Sequence, residues 1–138
     1  MSAAPDPRDA ADDLSFLVGM RLYSVVFVLD HVQLMFDGSR DVPSTLTCYV
    51  WPTVETQRAV ARHGDVGYAD TLASLIPNAV VAASATSGAG IRIEWESAAV
   101  VLNPTPDDLV GPEIAMLRDP GSNWWAWRPG EDVFSHLG

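Results

Sequence analysis

The 138-residue sequence contains no lysine: all 8 of its basic residues are arginine, set against 18 acidic ones, for a formal net charge of −10. Phosphate backbones are held by Lys and Arg that displace counterions, so such a surface argues against a nucleic-acid partner, and an anionic membrane is disfavoured for the same reason. Cysteine is nearly missing too. Cys48 stands alone, which excludes an internal disulfide and points to a reducing compartment. No apolar run approaches the ~18 residues of a membrane span, and the opening MSAAPDPRDAADD has neither the basic nor the apolar part of a secretory signal. A cytoplasmic location is the expectation.

Sequence signatures of chemistry are equally sparse. His31, His63 and His136 lie far apart, with no HxH, HExxH or cysteine pair, so no metal site has local support. There is no GxSxG elbow for a nucleophilic serine. Gly88-Ala89-Gly90 supplies a GxG, but Ile93 stands where a third glycine is needed and a strand pattern follows, which rejects a dinucleotide or phosphate loop. No cofactor is expected.

What is present is a composition suited to burial. Hydrophobic residues reach 48% against 19% charged, with a mean hydropathy of +0.11, enough for one domain whose core needs no metal or disulfide. Residues 1–13, with four Asp, one Arg and no apolar periodicity, read as a disordered acidic tail; residues 14–138 read as a single β-rich domain. Outside the tail, 14 acidic residues still face 7 basic ones, so a basic protein partner is electrostatically favoured.

Two stretches share one order of parts. From Leu17 to Trp51 an apolar entry leads into a β-branched run, a turn at Asp30-His31, and the alternation Val32, Leu34, Phe36. From Leu75 to Asn103 an apolar entry leads into Val80–Thr86, a turn at 87–90, and the alternation Ile91, Ile93, Trp95. Period-two alternation is the mark of a half-buried strand, so each stretch is expected to form a three-stranded antiparallel meander. Leu22 to Leu29 is apolar on both alternating sets, the pattern of a central strand covered on both sides. Met35 breaks the otherwise polar outward set of its strand, an irregularity suited to contact with another element or a partner.

Between the two stretches, Tyr68, Leu72, Leu75 and Ile76 recur at helical spacing and predict one helix, with Asp65 placed as its N-cap and Pro77 as its stop. Residues 53–64 fit neither a strand nor a helix cleanly. At the C-terminus, Glu113–Arg118 and Asn123–Arg128 flank Asp119-Pro120-Gly121-Ser122, a hairpin with Pro and Gly where a type II turn needs them; a short helix opening at Pro112 is the rival. The expected fold class is α+β, mainly β: two duplicated antiparallel β-meanders joined by one helix, plus a C-terminal β-hairpin, about eight strands in all.

Candidate sites follow from residue chemistry. Trp124, Trp125 and Trp127 crowd four positions; on a strand Trp124 points away from the other two, on the side of Arg128, an indole and guanidinium suited to a binding hot spot. With Glu94 and Glu96 as an acidic outer edge, Trp124 and Arg128 form the candidate interaction face. The alternative is a pocket between the two meanders that draws on His31, Trp51, His63 and Tyr68. Asp30 and His31 resemble an acid/base pair, but neighbours on a strand diverge and Asp often serves its own turn. Cys48 falls among Leu46 and Val50 on the inward set and reads as a buried hydrophobe.

The segments VQLMFDG, GDVGYAD and GPEIAML, followed by WWAWRPGE, resemble small uncharacterised proteins of high-GC actinobacteria, a domain of unknown function, over roughly residues 17–134. The resemblance implies a lineage and carries no assigned chemistry. The expected function is that of a protein-interaction module, immunity-like or inhibitor-like in form, directed at a basic partner. A small-ligand-binding protein or enzyme is the alternative, and an exposed strand edge would allow a homodimer.

Overall fold

Alternation of apolar and polar residues dictates two sheets. The structure, a computed structural model, describes residues 14–38, 43–86, 88–109, 111–131, 133–134 and 136–137. The acidic tail at 1–13, the centre of the turn after Asp37 and Ser87 lie outside these. The first sheet contains β1 (Arg21–Val28), β2 (His31–Asp37), β3 (Ser44–Cys48), β9 (Ala115–Arg118), β10 (Trp124–Trp127) and β11 (His136–Leu137), in that spatial order. The second contains β4 (Thr53–Thr56), β5 (Val60–Ala61), β6 (Ala82–Thr86), β7 (Gly90–Glu94) and β8 (Ala98–Leu102), ordered β5-β4-β8-β7-β6. Every pairing between these strands is antiparallel.

The fold is therefore α+β and mainly β. The meanders β1-β2-β3 and β6-β7-β8 each belong to a different sheet, with one α-helix, α1 (Tyr68–Ala73), between them in the chain. The C-terminal hairpin β9-β10 continues the first sheet across β3. Residues 53–64, unreadable by pattern, supply β4 and β5, whose turn Thr56 closes by accepting from the Ala59 and Arg58 amides at 3.3 Å through Oγ1. β4 then joins the second sheet through β8. Short strands such as β5 and β11 bring the total to eleven among the described residues.

The inward sets form one core. Val32, Leu34 and Phe36 of β2, Leu46 and Cys48 of β3, and Leu117, Trp125 and Trp127 of the hairpin are all buried. They meet Ile91, Ile93, Val100 and Leu102 from the second sheet in a single cluster. Phe36 and Trp95 stack across it, with ring centroids 6.4 Å apart. Gly90 is required by geometry: its φ of +74° is left-handed, and a Cβ there would lie 2.2 Å from the Leu102 carbonyl oxygen.

Three expectations need correction. β1 is not a covered central strand but the edge of its sheet, with Tyr23, Val26, Phe27 and Val28 each about 36–44% exposed and Leu29 fully in solvent. A run apolar on both sets signals two covered faces, and here no element among the described residues supplies the second cover. Asp65 does not cap α1, whose N-cap is Gly67; its carboxylate instead accepts from the Arg62 amide at 2.8 Å, closing the loop before the helix. The hairpin turn is not type II. Ser122, not Gly121, takes positive φ (65°), and Asp119 accepts from the Gly121 amide, the Asn123 amide and Trp125 Nε1 at 2.9, 3.0 and 3.0 Å. A side chain that satisfies three donors outweighs the backbone preference of a Pro-Gly pair.

Candidate functional site

The chain leaves the first sheet at Cys48 and enters the second at Thr53, and the crossing segment creates a cleft. Pro52 prevents β3 from continuing, and the segment is pinned on both sides. The Tyr49 amide donates to the Ile114 carbonyl at 2.9 Å. Tyr68, the first residue of α1 and 4% exposed, donates its hydroxyl to the Pro52 carbonyl at 2.6 Å. Burial, reinforced by the nearby Cys48, drives the Tyr68 hydroxyl well above the usual phenol range, so it stays protonated as the donor.

Above this strap lies a cleft of about 540 Å³, lined from the first sheet by Asp30 and Tyr49 and from the second by Thr53, Val101 and Leu102. Trp51 forms part of its wall. His63 lies on Trp51 with ring centroids 3.9 Å apart and planes within 3°. Tyr68 meets both rings edge-on, at 6.5 Å and 5.8 Å. The loop closed by Asp65 holds His63 in that position. The arrangement is a rigid aromatic corner, two parallel planes braced by a perpendicular third.

Polar groups surround the corner. Arg62, Asn103 and Asp108 complete the rim. Asp108 is committed to its own turn: its Oδ2 accepts from the Thr105 amide and hydroxyl at 2.8 and 2.9 Å, which hold its carboxyl below the usual range. Asp30 Oδ1 accepts from His31 Nδ1 at 2.7 Å. An ionised carboxylate can only accept, so Nδ1 carries the proton and, in the neutral ring, Nε2 is the acceptor. The His31 ring packs on Tyr49 at 5.4 Å. Neighbours diverge only along an extended strand; Asp30 sits in the turn before β2, and there its carboxylate folds back on the imidazole.

Of the pocket residues expected from sequence, Trp51 and His63 line the cleft, Tyr68 stands behind them, and His31 touches it through Asp30 and Tyr49. Sequence patterns gave no reason to include Tyr49, Arg62, Thr53 or Asn103. Tyr49 directly follows the alternating β3, a legible signal; Asn103 reaches the cleft only through sheet pairing. Among the described residues, no three His, Cys, Asp or Glu side chains gather as a metal ion would require. Cys48 is fully buried, and that burial pushes its thiol up to about 12, so no thiolate nucleophile forms near neutrality.

The interaction-face residues are placed differently. Trp124 is 41% exposed, but the guanidinium over its ring is that of Arg118, at 5.7 Å. Arg128 pairs with Glu113 at 3.5 Å. Glu94 lies on β7 of the other sheet, where Arg92 bridges it to Glu55 at 3.5 and 3.0 Å. Glu96 lines a second cleft, of about 840 Å³, beside α1. The four thus divide between the two sheets.

No helix among the described residues is long and apolar enough to cross a membrane. No protein-family model matches the sequence, and no curated protein and no solved structure matches it significantly.

Proposed function

We propose that the protein binds a small planar molecule in the cleft between its two sheets, with the Trp51–His63 stack as the apolar wall. The carrying observation is that stack, 3.9 Å between parallel rings at the wall of a 540 Å³ cleft. A preformed concave site with an aromatic wall and a few convergent polar groups is how small ligands are held. Asp30 and the Asn103 side-chain oxygen supply acceptors, while the Arg62 guanidinium and the Asn103 amide supply donors. A flat heterocycle bearing both donors and acceptors fits this chemistry. His31 faces Tyr49 and is not itself in the cleft wall, so the proposal is binding, with no chemical step.

A set of planar heterocyclic fragments, screened by ligand-observed NMR against wild type, Trp51→Ala and His63→Ala, tests this. Binding that is present in wild type and lost in both variants supports the cleft. Fragments that bind all three proteins equally would refute it.

A second reading, protein interaction, is favoured by the half-exposed Trp124 above Arg118. Aromatic and Arg anchors of this kind dominate interfaces, yet the cation at this spot makes an acidic patch the better local match than a basic one. Trp124→Ala would abolish capture of such a partner while leaving the fragment screen unchanged.

A further inference from the structure

We infer that the second cleft, beside α1, binds a short peptide with free ends, one residue of which pairs with the backbone of Ala79. This cleft shares no lining residue with the one walled by Trp51 and His63, and binding there does not depend on it.

A rung of the second sheet is left open there. Consecutive residues of an extended chain present their amides and carbonyls to opposite sides. Ala79 bridges Arg21, and the bonds of that bridge belong to its neighbours: the Leu22 amide donates to the Asn78 carbonyl at 3.1 Å, and the Val80 amide to the Met20 carbonyl at 2.9 Å. The Ala79 amide and carbonyl therefore face away from β1, on the side of β7. On that side the ladder holds as far as the Val81 amide, which donates to the Glu94 carbonyl at 2.8 Å. There β7 ends, and the Trp95 amide donates to the Ala98 carbonyl at 2.8 Å, turning the chain into β8. Ala79 is exposed, lines the cleft, and has no hydrogen-bond partner among the described residues.

The open rung and its surroundings select the occupant. One backbone donor beside one backbone acceptor is matched by one residue of an extended peptide, as in strand addition. Below them the floor is apolar. Leu75 and Trp95 are buried, and the indole Nε1 is spent on the Asn78 carbonyl at 3.2 Å. Arg58 and Glu96 stand on the rim, both exposed and neither in an ion pair among the described residues. A guanidinium and a carboxylate in one cleft of about 840 Å³ suit a molecule that carries both charges with an amide between them. A peptide with free ends supplies its carboxylate to Arg58, its ammonium to Glu96 and its backbone to Ala79. Being a zwitterion, it is also not repelled as a free anion would be by a chain of net charge −10.

Amide NMR of the full chain titrated with trialanine tests the site. The control is trialanine acetylated at one end and amidated at the other, which keeps the backbone and loses both charges. The expected result is a saturable shift of the Ala79 and Ser97 amides with Trp51 Nε1 unmoved. Arg58→Gln and Glu96→Gln, both at exposed side chains, should each weaken binding by about two- to fivefold. The blocked peptide should bind wild type no better than trialanine binds the double variant. No saturable shift at Ala79, or equal affinity of wild type and both variants, would overturn the inference. A shift of Trp51 Nε1 with Ala79 unmoved would overturn it as well, by placing the peptide in the first cleft.

Discussion

Replacing Tyr68 by Phe removes one oxygen and tests whether the cleft wall is held as described. The ring stays, so its edge contacts with Trp51 and His63, at 6.5 and 5.8 Å, remain. What is lost is the 2.6 Å hydrogen bond to the Pro52 carbonyl. Both residues are buried, so the carbonyl is left without a donor and without ready access to water. A typical hydrogen bond contributes about 1 kcal/mol, and an orphaned buried acceptor raises the loss to about 1–3 kcal/mol. For a domain of this size that is roughly 3–10 °C in Tm. Tyr68→Ala, which also deletes the ring, should cost about 3–5 kcal/mol. The Tyr68 hydroxyl has a raised pKa in the fold. Its contribution is intact below the ordinary tyrosine range and is lost as pH rises above it, where the unfolded chain ionises more readily. Thermal melts of wild type and Tyr68→Phe between neutral and alkaline pH should therefore converge as pH rises. Equal stability of the two proteins at neutral pH would show that the strap does not hold the crossing segment.

Other consequences are independent of the cleft. Asp119→Ala removes the acceptor for two backbone amides and for Nε1 of the buried Trp125, and should cost about 2–4 kcal/mol in chemical unfolding. Asp119→Asn, which keeps one oxygen, should recover part of this. Cys48 should react with a thiol reagent in the native protein only as fast as the chain opens, and at once in denaturant. Because burial raises its thiol from 9.0 to about 12, its share of stability is complete below pH 9 and falls as pH rises from there towards 12; alkaline titration of wild type against Cys48→Ala reads the difference.

Local pattern was enough for much of the fold. The alternation in β2, β3 and β7 gave their buried faces, since a strand with one wet side must alternate, and the second meander followed from the same rule. Three things were not local. β1 has the sequence of a covered strand, but its apolar residues face the core on one side and, among the described residues, are left exposed on the other, and composition cannot say whether cover is present. Asp119 looked like an ordinary turn residue, yet its carboxylate reaches Trp125, six positions on. The cleft was legible only in part. Trp51 and His63 are 12 positions apart and belong to different loops, so their stack depends on β5 turning the chain back and on Asp65 closing the loop. Asp65 was visible as a capping residue; which backbone amide it would cap was not.

The most direct test is an amide and indole NMR map of the protein titrated with a fragment that binds it. Occupation of the cleft predicts that the Trp51 Nε1 signal and the Arg62–His63 amides shift together while Trp124 Nε1 stays in place. Movement of Trp124 with Trp51 unchanged would contradict it and put the binding surface on the terminal hairpin.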